Sequence, residues 1–258
     1  MSFNKSYFNT IYDLITQEST EPSEWSNIII KHLDLTSLNG DESDEAINKL
    51  CQDSQSHDQG STAAVCVYPQ FVQQAKSSLA GTNTKIATVA NFPEGQSPIE
   101  SVIEECSKAI QDGADEIDCV FPYQAYIANP DDPNIKAFLQ ELRQCCADVT
   151  LKIILETGAF QDNQTLFRAC KQCLKQNVDF LKTSTGKTTN GANLEATAVL
   201  AAAIEKMQSP AGVKVSGGIK SLSQAANYYR LVSHYFKKNF LTTNRFRIGT
   251  SSLDCALY

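Results

Sequence analysis

Lys182 and Lys187 sit five positions apart in Leu181-Lys182-Thr183-Ser184-Thr185-Gly186-Lys187, across a run of hydroxyls that ends in glycine. Asp179-Phe180-Leu181 leads in as a short β-like segment and Asn193 onward reads as helix, so Lys182 falls near a strand end and Lys187 in the loop beyond. A lysine buried on a strand is costly because desolvation disfavours its charged form, and the same effect lowers its pKa and frees its amine near neutral pH. A free amine facing a carbonyl forms a carbinolamine and then an iminium. That iminium is an electron sink, which lets the adjacent carbon–carbon bond break or form without a metal. Lys214 and Asp118 are the residue types that complete such chemistry. A protonated Lys214 near Lys182 lowers its pKa by like-charge repulsion, and Asp118 can shuttle a proton as general acid and base.

Residues this far apart in sequence meet only if the fold brings them together. Short β-rich runs recur at Leu33–Thr36, Ala63–Pro69, Lys85–Pro93, Glu116–Pro122, Leu151–Thr157, around Lys182, at Gly212–Gly218 and at Phe246–Ser251. Helical patterns fill the intervals: Asp41–Gln52, Phe71–Leu79, Pro98–Gln111, Asn134–Cys145, Asn163–Gln176, the alanine-rich Asn193–Met207, and Ser221 to about Phe236. A further helical region, about residues 4 to 32, precedes the first run. Strands alternating with helices at a spacing of roughly 30 residues predict βα units and a parallel sheet. Eight units predict an α/β fold, a (β/α)₈ TIM barrel with an additional N-terminal helical segment, forming one domain over residues 1–258. A doubly wound open sheet is the alternative, but no G-x-G-x-x-G follows an early strand.

A barrel makes a demand on side-chain parity, because alternate residues of a strand face the helices and the barrel axis. Ile117, Cys119 and Phe121 oppose Glu116, Asp118 and Val120; Leu151, Ile153 and Leu155 oppose Lys152, Ile154 and Glu156. Leu181 opposes Lys182, and Val213 and Val215 oppose Lys214 and Ser216. With the apolar sets against helices, Asp118, Lys152, Glu156, Lys182 and Lys214 converge on the barrel interior from four consecutive strands. Interior charges are costly unless paired, and here the signs can pair. A buried ion network that serves folding alone is the bland reading. The catalytic reading is that a nucleophilic lysine, a second lysine and a carboxylate are the minimum set for a Schiff-base aldolase.

Thr185-Gly186-Lys187, Ser216-Gly217-Gly218-Ile219-Lys220 and Gly249-Thr250-Ser251-Ser252 all follow strand ends. Glycines let backbone N–H groups approach an anion, and barrels often hold phosphate at the loops after strands seven and eight. With Lys187 and Lys220 supplying charge, these loops predict a phosphorylated substrate. Asp34, at the end of the first run, is a candidate ligand for a substrate hydroxyl, as is Thr36. Cys66 is expected to pack inside the barrel, and Trp25 in the N-terminal helical region. His32, His57 and His234 are scattered and take no catalytic role.

The bulk numbers set limits. The chain has 258 residues, 42% hydrophobic and 20% charged, with 22 Lys+Arg against 29 Asp+Glu for a formal charge of −7. With no basic stripe, nucleic acid and anionic membranes are not expected partners. No apolar run approaches the roughly 18 to 20 residues that span a bilayer, and the first residues lack a secretory h-region. Nine cysteines, an odd count, suit a reducing compartment, so a cytoplasmic location is expected. Cys170 and Cys173 form a C-x-x-C within a helical pattern, and no second pair lies at zinc-site spacing, so no metal is expected.

The chain resembles the deoxyribose-phosphate aldolases, from Leu33-Asp34-Leu35-Thr36 through Gly249-Thr250-Ser251-Ser252. The most specific stretches are Ala114-Asp115-Glu116-Ile117-Asp118 with Val120-Phe121-Pro122-Tyr123, then Phe180–Lys187, then Val213-Lys214-Val215-Ser216-Gly217-Gly218. The resemblance implies a class I aldolase on a (β/α)₈ barrel, needing no cofactor. It would reversibly cleave 2-deoxy-D-ribose 5-phosphate to D-glyceraldehyde 3-phosphate and acetaldehyde in deoxyribonucleotide catabolism. It implies Lys182 as the Schiff-base lysine and Asp118 and Lys214 as proton donor and acceptor groups. Gly186, Lys187, Gly217, Gly218, Ser251 and Ser252 would hold the phosphate. Relatives are often dimers, so a homodimer is the assembly implied, although no stretch here marks an interface. Two departures stand out. Lys220 occupies a position where relatives often carry arginine, keeping the charge but losing the bidentate fork. The tail after Ser252 ends at Tyr258, where some relatives continue into a longer tail ending in tyrosine, and so short a tail is not expected to fold over the site. Another Schiff-base aldolase acting on a ketose phosphate, and a sugar-phosphate-binding regulator without catalysis, are the rival readings. The intact Lys182, Lys214 and Asp118 argue against the regulator.

Overall fold

A computed structural model of the chain describes residues 2–19, 21–56 and 60–252; Tyr258 and the tail beyond Ser252 lie outside the described residues, as does His57. Short β-rich runs build β1 (Leu33–Thr36), β2 (Ala64–Val67), β3 (Lys85–Ala90), β4 (Glu116–Val120), β5 (Thr150–Ile154), β6 (Phe180–Lys182), β7 (Gly212–Ser216) and β8 (Phe246–Thr250), most of them alternating apolar with polar side chains. All pair in parallel in chain order, and β8 pairs with β1 through Leu33 with Ile248 and Asp34 with Gly249, closing a (β/α)₈ barrel. Closure leaves no sheet edge among these strands.

The helices begin where polar side chains can satisfy their first N–H groups. The N-terminal helical region is two helices, α1 (Lys5–Gln17) and α2 (Pro22–Ile30), the second opening on a proline. Asn4 caps α1, which turns Phe8, Ile11 and Ile15 inward. The barrel helices are α3 (Asp44–Asp53), α4 (Val72–Ser78), α5 (Ile99–Gln111), α7 (Pro133–Cys145), α8 (Asn163–Leu174), α9 (Leu194–Met207) and α10 (Leu222–Phe236), with a short extra helix, α6 (Tyr123–Ala128), after β4. Ser43, Asp162 and Asn193 each accept an N–H at a helix start, and Ser221 with Gln224 forms a full capping box on α10. The apolar parity of the strands, including Ile117, Cys119, Leu151, Ile153, Leu181, Val213, Val215 and Ile248, joins the helices in one core. The opposite parity faces the axis. Small apolar residues Ala64, Cys66, Ala87 and Val89 form a separate cluster there with Leu38. Cys66 thus packs inside the barrel, as expected, and burial pushes its thiol pKa up.

Two glycines make room for long interior side chains. A Cβ on Gly249 would stand 3.2 Å from Lys214 Cε and 3.1 Å from Ser216 Cβ, so the bare backbone of β8 lets the lysine pass. A Cβ on Gly212 would stand 2.5 Å from the Phe180 ring.

Candidate active site

Strand register sets the charged side chains next to one another: Asp118 pairs with Lys152 across β4–β5, and Lys182 with Lys214 across β6–β7. Their tips converge on one carboxylate. Asp118 Oδ1 accepts from Lys152 Nζ at 2.8 Å, and Asp118 Oδ2 accepts from Lys182 Nζ at 2.6 Å and Lys214 Nζ at 2.7 Å. All four residues are buried, and Lys182 alone of the four keeps some exposure, at 3%.

Three further residues complete the network. Lys214 also donates to Asp34 Oδ2, and Lys152 to Glu116, while Arg247 donates to Asp34 Oδ1 at 2.6 Å and to Glu116 Oε1 at 2.9 Å. The expected role of Asp34 as a ligand for a substrate hydroxyl is corrected by this placement. It is fully buried, and both of its oxygens are taken by cations. Its neighbour Thr36 does reach the cleft, though its hydroxyl donates to the Asp34 carbonyl. Glu156 is also corrected. It lies just past β5 in the left-handed region at φ 50°, which turns its carboxylate away from the lysines and onto the β6 loop. Arg247 was missed, although Phe246-Arg247-Ile248 shows the same alternation as the other strands.

Three carboxylates, Asp34, Glu116 and Asp118, therefore face four cationic groups, Lys152, Lys182, Lys214 and Arg247. The set is charge-matched when one cation gives up its proton, and the surroundings select Lys182. Burial pushes the Lys182 pKa down, and repulsion from Lys214 adds to this, outweighing the pull of Asp118. Both causes are expected from the sequence, and burial is the larger. Burial acts on Lys214 in the same sense, yet contacts with Asp118 and Asp34 hold its pKa above the ordinary lysine range. Lys152 is raised for the same reason by Asp118 and Glu116. Against the effect of burial, Lys152, Lys182 and Lys214 hold the Asp118 carboxyl well below the usual range. Of the four cations, Lys182 is thus the one whose surroundings favour loss of its proton.

Lys182 forms part of the floor of a cleft of about 180 Å³ whose wall carries Thr185, Gly186, Lys187, Gly217, Gly218, Lys220, Gly249, Ser251 and Ser252. Every residue expected to hold an anion lines this one cleft. Gly186 and Gly217 have φ of 77° and 89°, backbone that favours glycine, and a Cβ on Gly186 would stand 3.8 Å from Gly217 Cα, so the two loops lie side by side. Thr185 lines the cleft but its hydroxyl donates to Glu156 and accepts from Lys187 N–H, so it holds the loop together. Among the described residues no cluster of His, Cys, Asp and Glu could hold a metal ion, and no helix is long and apolar enough to cross a membrane.

Comparison with known proteins agrees with this geometry. Residues 28–230 match the profile of the DeoC/LacD family aldolases. A curated deoxyribose-phosphate aldolase from Agrobacterium fabrum is 37% identical over 241 residues, spanning 93% of this chain and 92% of that protein. A crystal structure described as a candidate deoxyribose-phosphate aldolase from Coccidioides immitis superposes with a TM-score of 0.78 at 25% identity, covering 97% of this chain and 95% of the other. A structure from Aeropyrum pernix, described as a tetrameric deoxyribose phosphate aldolase, shares the fold with a TM-score of 0.74 at 23% identity, covering 94% and 93%.

Proposed function

From the premise that this chain belongs to the DeoC/LacD family of aldolases and is a carbon–carbon lyase, we propose that it reversibly cleaves 2-deoxy-D-ribose 5-phosphate to D-glyceraldehyde 3-phosphate and acetaldehyde. The observation that carries this reading is the position of Lys182. Its amine, depressed in pKa, opens onto a cleft lined by three glycine- and hydroxyl-bearing loops and two further lysines.

In the cleavage direction the neutral Lys182 amine attacks C1 of the open-chain aldehyde, giving a carbinolamine that loses water to an iminium. Removal of the C3 hydroxyl proton then lets the C2–C3 bond break. The bonding electrons move onto the iminium as an enamine, and C3 leaves as the aldehyde carbon of glyceraldehyde 3-phosphate. Protonation at C2 and hydrolysis release acetaldehyde and restore the amine. Asp118 and Lys214 move these protons. As a resting carboxylate Asp118 is held down by three lysines and is a weak base. Once Lys182 has given up its proton, one of those charges is gone, and Asp118 gains basicity for the proton transfers of carbinolamine formation and dehydration. The phosphate lies against Gly186, Lys187, Gly217, Gly218, Lys220, Gly249, Ser251 and Ser252, and holds the sugar in register with Lys182.

Borohydride reduction in the presence of acetaldehyde tests the reading: the label is expected on Lys182, and Lys182→Ala is expected to lose activity by on the order of 10⁴-fold or more. Labelling elsewhere, or no acetaldehyde released from the phosphorylated sugar, would overturn it. The same reading places the enzyme in deoxyribonucleotide breakdown, in the cytoplasm and as a homodimer. The cytoplasmic part draws support from free thiols at all eight described cysteines. Light scattering tests the homodimer.

A further inference from the structure

The loop that carries Lys187 is held from both sides by neighbouring loops. On the β7 side, Ser184 Oγ donates to the Ser216 carbonyl, Ala192 N donates to the carbonyls of Ser216 and Gly217, and Gly191 lies so close that a Cβ would stand 2.4 Å from the Gly217 carbonyl oxygen. On the β5 side the contact is Glu156. Its backbone is in the left-handed region at φ 50° and ψ 61°, a conformation that is costly for a non-glycine residue and persists where surrounding contacts over-determine it. Its side chain is buried, and among the described residues its carboxylate takes only loop donors: Thr185 N at 3.2 Å, Thr185 Oγ1 at 2.6 Å and Thr188 Oγ1 at 3.3 Å. Thr185 Oγ1 in turn accepts from Lys187 N at 3.0 Å. Gly158, two residues on, has no Cβ to strike Asn190, whose Cβ would be 2.5 Å away.

A buried carboxylate beside an anion-binding loop is electrostatically adverse to the anion. It makes physical sense only if organising the loop outweighs the repulsion, and its hydrogen bonds are spent wholly on that loop. We propose that Glu156 is a positioning residue. Through Thr185 it fixes residues 185–188, aims Gly186 and Lys187 at the substrate phosphate, and sets the preference for phosphorylated over unphosphorylated sugars. This rests on the reading that the phosphate binds at this loop.

The test compares 2-deoxyribose 5-phosphate with 2-deoxyribose in wild type, Glu156→Ala, Glu156→Gln, Thr185→Val and Lys187→Ala, with inorganic phosphate as competitive inhibitor. Loss of a charge-assisted hydrogen bond corresponds to about tenfold or more in affinity. Glu156→Ala is therefore expected to raise KM for the phosphorylated sugar about tenfold and to weaken phosphate inhibition in parallel. The effect on kcat, and on KM for the unphosphorylated sugar, is expected to be much smaller. Glu156→Gln, which keeps an oxygen for both Thr185 donors, restores most of the loss. Should Glu156→Ala not fold, Thr185→Val removes the hydroxyl link to Lys187 and is expected to give the same split. An equal rise in KM for both sugars, a fall in kcat alone, or no rescue by glutamine overturns the positioning role. If Lys187→Ala weakens phosphate binding and Glu156→Ala does not, only this inference falls. If Lys187→Ala changes neither KM nor phosphate inhibition, the phosphate site and this inference fall together.

Discussion

Strands β2 and β3 turn Ala64, Cys66, Ala87 and Val89 toward the barrel axis, whereas β4 to β8 and β1 turn Glu116, Asp118, Lys152, Lys182, Lys214, Arg247 and Asp34 toward it. The two arcs meet directly: Asp118 is in register with Val89, and Asp34 with Ala64. The apolar arc is built of small side chains, which leave the axis to the long chains of the lysines and arginine. Apart from the weak Cys66 thiol it offers no competing donors or acceptors, so the ions pair mainly with one another, in surroundings where such contacts are strong, although Arg247 Nε also donates to the Thr243 carbonyl. Burial is the largest cause acting on Lys182, and the apolar arc is part of what buries it. The depressed pKa of Lys182 is therefore a product of both arcs, one removing water and the other fixing the remaining charges.

Substitutions can break this division in order of effect. Arg247→Met removes the cation that balances Asp34 and Glu116, and breaking a buried pair costs about 3–5 kcal/mol, to be read from denaturant midpoints. It also leaves three carboxylates facing three lysines, so Lys182 is drawn toward its charged form and the acid limb of the pH–rate profile moves to higher pH. A stable variant with an unmoved limb would show that the charge count does not govern the amine. Lys214→Leu is expected to lower the rate of imine formation about a hundredfold, by loss of a proton-transfer group. Its acid limb also moves to higher pH, because Lys182 no longer feels a neighbouring cation; since burial remains, the lysine does not return fully to ordinary behaviour. An unchanged profile contradicts the coupling. Cys66→Ala is the control on the apolar side, expected to cost about 1 kcal/mol from the small cavity and to leave the pH profile in place. A displaced profile would mean that the apolar arc also takes part in the titration.

The charged arc was largely legible in the sequence because a strand of period two turns parity into direction, and Asp118, Lys152, Lys182 and Lys214 each interrupt an apolar alternation. Asp34 and Arg247 sit in the same kind of alternation, Leu33-Asp34-Leu35 and Phe246-Arg247-Ile248. There the signal was present but read for the hydroxyl-binding turn and the glycine loop that follow. Glu156 was illegible for a physical reason: a single left-handed residue after Leu155 ends the alternation, and nothing in local residue types announces it. Helix α6 was hidden too. Six residues carry too little periodicity to stand out, and Tyr123 and Tyr126 are buried by the fold around them.

Barrel closure has a consequence for how the enzyme comes into being. Lys214 takes Asp34 from the first strand as a partner and passes the bare backbone of Gly249 on the last, while Arg247 on that same strand holds Asp34 from the other side. A chain still emerging from the ribosome without β8 carries Lys182 but neither its full enclosure nor its balanced surroundings. The nascent lysine is then an ordinary protonated amine, inert toward passing aldehydes. On the proposed Schiff-base chemistry, acetaldehyde trapping is expected to recover only with the final strand, so that its recovery during refolding times the joining of β8 to β1.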